Sequence, residues 1–152
     1  MPATSDQIQE DVRLAIAGDP RIPYAHSIAV EAVGDSVLLR GTVGNYAEKR
    51  AAVADARRTR GVFTVDDELR VRLMDLDRRA DAEIRGAALQ SLMWDSQLVA
   101  DYLDVEVKDG WVTLKGDVDF QYQSDAAFND VAHMHGITGV TNEITVTEVR
   151  FP

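Results

Sequence analysis

Val30-Glu31-Ala32-Val33-Gly34-Asp35-Ser36-Val37-Leu38-Leu39-Arg40-Gly41-Thr42-Val43 lies over Val105-Glu106-Val107-Lys108-Asp109-Gly110-Trp111-Val112-Thr113-Leu114-Lys115-Gly116-Asp117-Val118 when the chain is shifted by 75 positions. The register holds to Gly61-Val62-Phe63-Thr64-Val65 over Gly136-Ile137-Thr138-Gly139-Val140. An internal repeat decides architecture before composition does. The 152 residues therefore read as two copies of one unit, each near the lower size limit for a core of its own.

Working outward from the quoted stretch, the apolar residues alternate on either side of Gly34-Asp35 and Asp109-Gly110. That pattern is a hairpin signal, because a two-residue turn needs positive φ. Gly41 and Gly116 are expected to close the second strand, where the chain bends away. Upstream, Ile8, Val12, Ala15 and Ile16 form a helical stripe with Ser5 as the expected N-cap, matched by Ile84, Ala88, Ser91 and Leu92. Gly18, Pro20 and Pro23 end the first of these helices. Downstream, Ala52, Val53 and Ala56 repeat as Ala127, Phe128 and Val131 on a second helix. Gly61 and Gly136 suit its C-cap. A final strand carries Val65, Leu69 and Val71, then Val140, Ile144 and Val146. The expected fold is α+β: two αββαβ units, each a three-stranded mixed sheet with two helices on one face. The units are expected over residues 5–73 and 80–148, with 74–79 as a charged linker.

Composition narrows the function classes. Without cysteine, disulfides and cysteine-held zinc are excluded. No stretch reaches the length of a membrane span. The N-terminal residues show no secretory signal, so the expected compartment is the cytoplasm, or the periplasm if the chain is a processed product. The net charge of −10 is uneven: residues 5–73 hold 11 acidic and 10 basic side chains, residues 80–148 hold 13 and 3. A surface this acidic argues against nucleic-acid binding.

The hairpin, the glycine on the second strand and the endings Gly61-Val62-Phe63-Thr64-Val65-Asp66-Asp67-Glu68-Leu69-Arg70-Val71 and Gly136-Ile137-Thr138-Gly139-Val140-Thr141-Asn142-Glu143-Ile144-Thr145-Val146 resemble the BON domain. That family is named for a bacterial osmotically inducible protein and for nodulation proteins. The resemblance covers both copies, with one departure: Asp67 stands where the pattern favours asparagine. It implies an α/β sandwich without enzymatic activity, found in envelope-maintenance and stress proteins that bind phospholipid. In another branch it implies a cytoplasmic potassium-binding module.

Two groups of residues are candidate sites. Lys49, Arg50, Arg57, Arg58 and Arg60 lie on the second helix of the first copy, where the second copy has mostly Ser124, Asp125, Ala132, His133 and His135. Clustered cations attract phosphate head groups; a solvated helix face is the plainer reading. Leu89, Met93 and Trp94 add a second apolar stripe to the third helix, where the first copy has Arg13, Ala17 and Gly18. Trp and Met suit a membrane interface or partner groove, or packing inside the protein. Tyr102 and Trp111 belong either to that patch or to the core, and Trp111 could equally be a cross-strand partner. His133 and His135, two apart, point to different sides of a helix, so no metal site is expected. No phosphate-cradling glycine loop and no nucleophile with a base is present, so neither catalytic residues nor a cofactor are expected. The partners in view are a phospholipid surface or an envelope-associated protein; the alternatives are a potassium-responsive protein or an adaptor. Self-association stays open.

Overall fold

A computed structural model describes residues 4–147. Residues 1–3, Glu148 at the expected end of the second unit, and Arg150 lie outside the described residues. Contacts divide the chain between Arg72 and Leu73 into two compact units.

In the first unit α1 (Ser5–Ala17) precedes β1 (Ile28–Val33), β2 (Ser36–Val43), α2 (Tyr46–Arg58) and β3 (Thr64–Val71). β2 is central, antiparallel to β1 and parallel to β3. A parallel neighbour requires a crossover, and α2 supplies it. Alternation sends Val37, Leu39 and Val43 to one face of β2. There they meet Ile8, Val12 and Ile16 of α1 and Ala52 and Ala56 of α2. Burying an aliphatic side chain of this size contributes roughly 1.5–3 kcal/mol, and the whole core lies between the sheet and the two helices.

The second unit repeats the plan with α3 (Asp81–Trp94), β4 (Leu103–Lys108), β5 (Trp111–Val118) and α4 (Gln121–Ala132). Its last strand comes in two pieces, β6 (Gly139–Asn142) and β7 (Thr145–Val146), both parallel to β5. Between the two pieces Asn142 Oδ1 takes the Ile144 N–H at 3.0 Å. The α+β class and the repeated αββαβ order are those expected from the sequence.

Three local expectations are corrected. Ser5 is not the N-cap; Thr4 caps α1 in a capping box with Gln7. Ser5 instead sits in the first turn and accepts the Gly34 N–H at 2.8 Å. Gly61 and Gly136 are not the C-caps of α2 and α4, which are Thr59 and His133; they take positive φ (93° and 84°) in the turns that follow. Gly41 and Gly116 do not close their strands, which continue to Val43 and Val118. At φ 136° and 123° they lie against the Ser27 and Tyr102 carbonyls, where an added Cβ would collide with the oxygen. Glycine is required there by a close approach of backbone, not by a chain reversal.

The hairpin turns behave as read. Val33 pairs with Ser36 and Lys108 with Trp111, leaving two-residue loops. Asp109 and Gly110 both have positive φ (51° and 79°), the signature of a type I′ turn.

Candidate functional site

The five cations do not form one surface, and only four lie on α2: Arg60, expected on the helix, stands beyond its Thr59 cap. Lys49 is 9% exposed; its ammonium donates to the Leu69 carbonyl at 2.6 Å and meets the Asp67 carboxylate at 3.1 Å. It stands one turn after the Asn45 cap and looks inward at β3. Arg58 pairs with Asp55 at 2.9 Å. Arg50 stacks its guanidinium 5.9 Å from the Tyr46 ring centroid. Arg57 and Arg60 are exposed. The expectation of a continuous cationic face treated every basic residue on the helix as solvent-facing, and Lys49 breaks it.

The apolar residues of the second unit converge instead. Asp81, first residue of α3, accepts the Asp109 and Gly110 N–H groups, both at 2.9 Å. The helix therefore starts at the hairpin and runs to the opposite end of the sheet, where β4 begins and β5 finishes. Met93 and Trp94 end it, and Trp94 is 77% exposed; Leu89, one turn earlier, is half-buried. Val99 and Tyr102 lie in the connection to β4, whose Ala100–Tyr102 turn touches α3, β4 and β5. Phe120 and Tyr122 flank the start of α4 and stack with centroids 5.7 Å apart. Gln123 Nε2 donates to the Gln97 carbonyl at 3.0 Å, tying the start of α4 to the turn after α3. Met93, Trp94, Val99, Tyr102, Phe120 and Tyr122 are all exposed. They share one end of the unit.

Phe120, Tyr122 and Val99 escaped sequence reasoning because they come from two separate places, the start of α4 and the connection between α3 and β4, and carry no periodicity. A signal was available in the repeat. The first copy has Ala17, Gly18, Ser27, Asn45 and Ala47 at the places of Met93, Trp94, Tyr102, Phe120 and Tyr122. Trp111 is not part of this end. It sits beside the hairpin, on the sheet face away from the helices, lying over Gly139 and donating its indole N–H to Thr141 at 2.7 Å. It is the cross-strand partner that was one of its three readings.

His133 Nδ1 donates to the Asn129 carbonyl at 2.7 Å, and the His135 carbonyl accepts from Arg79 at 3.3 Å. Among the described residues no three His, Asp or Glu side chains are grouped to hold a metal, and no helix is long and apolar enough to cross a membrane.

Two small sheets, each backed by two helices in αββαβ order and carrying the same hairpin and glycine, define a duplicated α+β domain. The BON domain family matches residues 4–72 and 80–148, and the chain belongs to that family as a tandem of two BON domains. It is 32% identical over 123 residues to the osmotically-inducible protein Y of Escherichia coli (strain K12), covering 77% of this chain and 60% of that relative. Among solved structures, it is similar to CdsD, a structural protein of the type III secretion system of Chlamydia trachomatis. One CdsD structure matches at 12% identity and a TM-score of 0.43, over 92% of each chain. The C-terminal domain of CdsD matches at 12% identity and a TM-score of 0.38, over 95% of this chain and 67% of that one.

Proposed function

We propose that this chain is a non-enzymatic binding module of osmotic-stress and envelope type, and that the apolar end of its second BON domain docks on a phospholipid surface. The observation that carries this reading is the convergence of Met93, Trp94, Val99, Tyr102, Phe120 and Tyr122 at one end, all exposed. Tryptophan and tyrosine favour the level of the head groups, where a ring is half-apolar and its polar edge stays wet. The stress assignment is supported by the 32% identical relative, whose name records osmotic induction.

Charge sets the kind of membrane. Asp95, Asp101 and Asp119 lie next to the apolar residues in sequence, within the acidic copy. Negative charge repels anionic lipid, so contact rests on apolar insertion into zwitterionic lipid and is insensitive to salt. Arg57 and Arg60 of the first domain would add a separate, salt-sensitive contribution.

Flotation of the purified chain with phosphatidylcholine vesicles, at low and high salt, tests this. Co-flotation that survives salt and is lost in Trp94→Ala supports it. Flotation only with added phosphatidylglycerol, abolished by salt and by Arg57→Glu, would transfer the contact to the arginines. No flotation under any condition sinks the lipid reading. A melting temperature raised by potassium and not by equal sodium would then favour the cation-responsive alternative by ligand linkage.

A further inference from the structure

Both domains contain the same pair of carboxyl groups, which neither the fold nor the apolar end explains. In the first, Asp19 follows α1 and Asp55 lies in α2; in the second, Asp95 caps α3 and Asp130 lies in α4. The first member of each pair organises a turn. Asp19 Oδ1 accepts the Arg21 N–H and Asp95 Oδ1 the Gln97 N–H, both at 2.9 Å. Ile22 and Leu98 N–H return to the carbonyls of Asp19 and Asp95 at 3.0 and 3.1 Å. The second member of each pair has an oxygen, Asp55 Oδ2 or Asp130 Oδ2, shielded from solvent with no donor among the described residues. The Asp55 carboxyl hydrogen-bonds that of Asp19, and the Asp130 carboxyl that of Asp95. A buried oxygen without a donor is costly, and two carboxylates in contact do not both ionise readily. One shared proton resolves both problems.

The domains differ in what surrounds the pair. In the first, Arg21 reaches Asp19 at 2.8 Å and Asp55 at 3.5 Å, and Arg58 reaches Asp55 at 2.9 Å. The hydrogen-bonding pattern places Gln97 at the position of Arg21, and the repeat register places His133 at that of Arg58. The charged groups acting on Asp130 are Asp95, from the turn after α3, and His133, on its own helix. The other charged groups on elements packed against α4 are engaged elsewhere or exposed. Arg85 of α3 pairs with Asp104, Lys115 of β5 with Glu106; Asp117 of β5, and Glu143 between β6 and β7, are exposed. The arginine clamp of the first domain has no counterpart in the second.

We propose that Asp95 and Asp130 form a proton-operated latch, whose shared proton fastens the Asp95–Leu98 turn to α4 and holds Trp94 and Val99 in the docking arrangement. The docking part rests on the proposed membrane function; the latch does not. Burial, with Asp95 second, pushes Asp130 up to about 7. The hydrogen bond from Asp130 holds Asp95 below the ordinary carboxylate range, so Asp95 is ionised while Asp130 titrates. The folded domain thus keeps a proton that the unfolded chain has already lost. The latch is closed on the acid side, and opens as pH rises through neutrality, when two negative charges face each other beneath Trp94.

The chain has two tryptophans, so Trp111→Phe leaves Trp94 as sole reporter. Acrylamide quenching of Trp94, followed from pH about 5 to about 9, should rise in one step near neutrality. Asp130→Asn supplies a permanent donor to Asp95 and should give a flat profile at the low-quenching level. Gln97→Arg, which copies Arg21, should move the step to lower pH, and His133→Gln should leave a step in place. A step that persists in Asp130→Asn, vanishes in His133→Gln, or is missing from the parent overturns the latch. Flotation with phosphatidylcholine vesicles at the two ends of the range separates the two readings. Weaker flotation at high pH, abolished as a difference by Asp130→Asn, supports both. A Trp94 step without flotation at either pH refutes the membrane and leaves the latch.

Discussion

Lys49 Nζ lies 3.1 Å from the Asp67 carboxylate, and the same two places in the second domain hold Ser124 and Asn142, joined at 2.9 Å. The departure of Asp67 from the family's asparagine thus has a partner in the same unit. Both residues perform a common task. Asp67 Oδ1 accepts the Leu69 N–H at 2.9 Å and Asn142 Oδ1 the Ile144 N–H at 3.0 Å. The carboxylate needs a cation, the amide needs an acceptor, and the helix opposite supplies each. Lys49→Ala should destabilise the first domain by roughly 1.5–3 kcal/mol in chemical denaturation. The double variant Lys49→Ser, Asp67→Asn should recover most of that loss, and failure to recover would mean that the two positions are independent.

The glycines opposite the Ser27 and Tyr102 carbonyls admit no side chain. Gly116→Ala should cost the second domain more than about 3 kcal/mol, since strain at positive φ adds to the clash. Gly86 offers the contrast: it is inside α3 with open space where a Cβ would stand. Gly86→Ala should stabilise the same domain by up to about 1 kcal/mol. Thermal melts of the two variants should move in opposite directions.

Asp81 joins the start of α3 to the hairpin through two backbone N–H groups, whereas Ser5 offers the first domain one such bond. Asp81→Ala should lower stability by about 1–2 kcal/mol and speed amide exchange at Asp109 and Gly110. Unchanged exchange at those two amides would show that the turn holds itself.

The carboxyl pairs set a pH dependence with a fixed sign. Asp130 is raised to about 7 and Asp55 to about 6, each chiefly by burial. For a carboxyl whose folded pKa lies above its unfolded one, stability falls as pH climbs from the ordinary carboxyl range to the folded value, then levels off. The second domain should therefore lose stability up to about pH 7. In Asp130→Asn that part of the slope should vanish from its denaturation midpoint.

Much of this molecule was legible because it is written twice. The shift of Val30 onto Val105 exposed the duplication, and Asp-Gly between alternating apolar residues exposed the hairpin. Of the stripes read from periodicity, Ile8–Val12–Ile16 and Ile84–Ala88–Leu92 are buried, while Ala15 is exposed and Ser91 half-buried. What escaped depends on through-space proximity. Gly41 looks like a strand end until the Ser27 carbonyl is seen against it, and Lys49 looks like a surface cation until Leu69 and Asp67 are placed beneath it. Trp94 and Met93 were visible as surplus apolar residues, but Phe120 and Tyr122 join them only once β5 delivers α4 to the same end. The pairs Asp19–Asp55 and Asp95–Asp130 are more than thirty residues apart in sequence, and no spacing rule announces them.

The outer edge of β3 has a consequence for the behaviour of many copies together. A three-stranded sheet leaves a row of backbone donors and acceptors on each flank, which any other extended segment can use to add a strand. Here that flank carries Asp66-Asp67-Glu68 consecutively, all exposed. Asp67 is paired with Lys49 and Glu68 with Arg40, so a second copy approaching edge to edge would meet Asp66 and these ion pairs. Growth of the sheet at this edge into fibres is thereby disfavoured, by carboxylates separate from those beside the apolar end of the second domain.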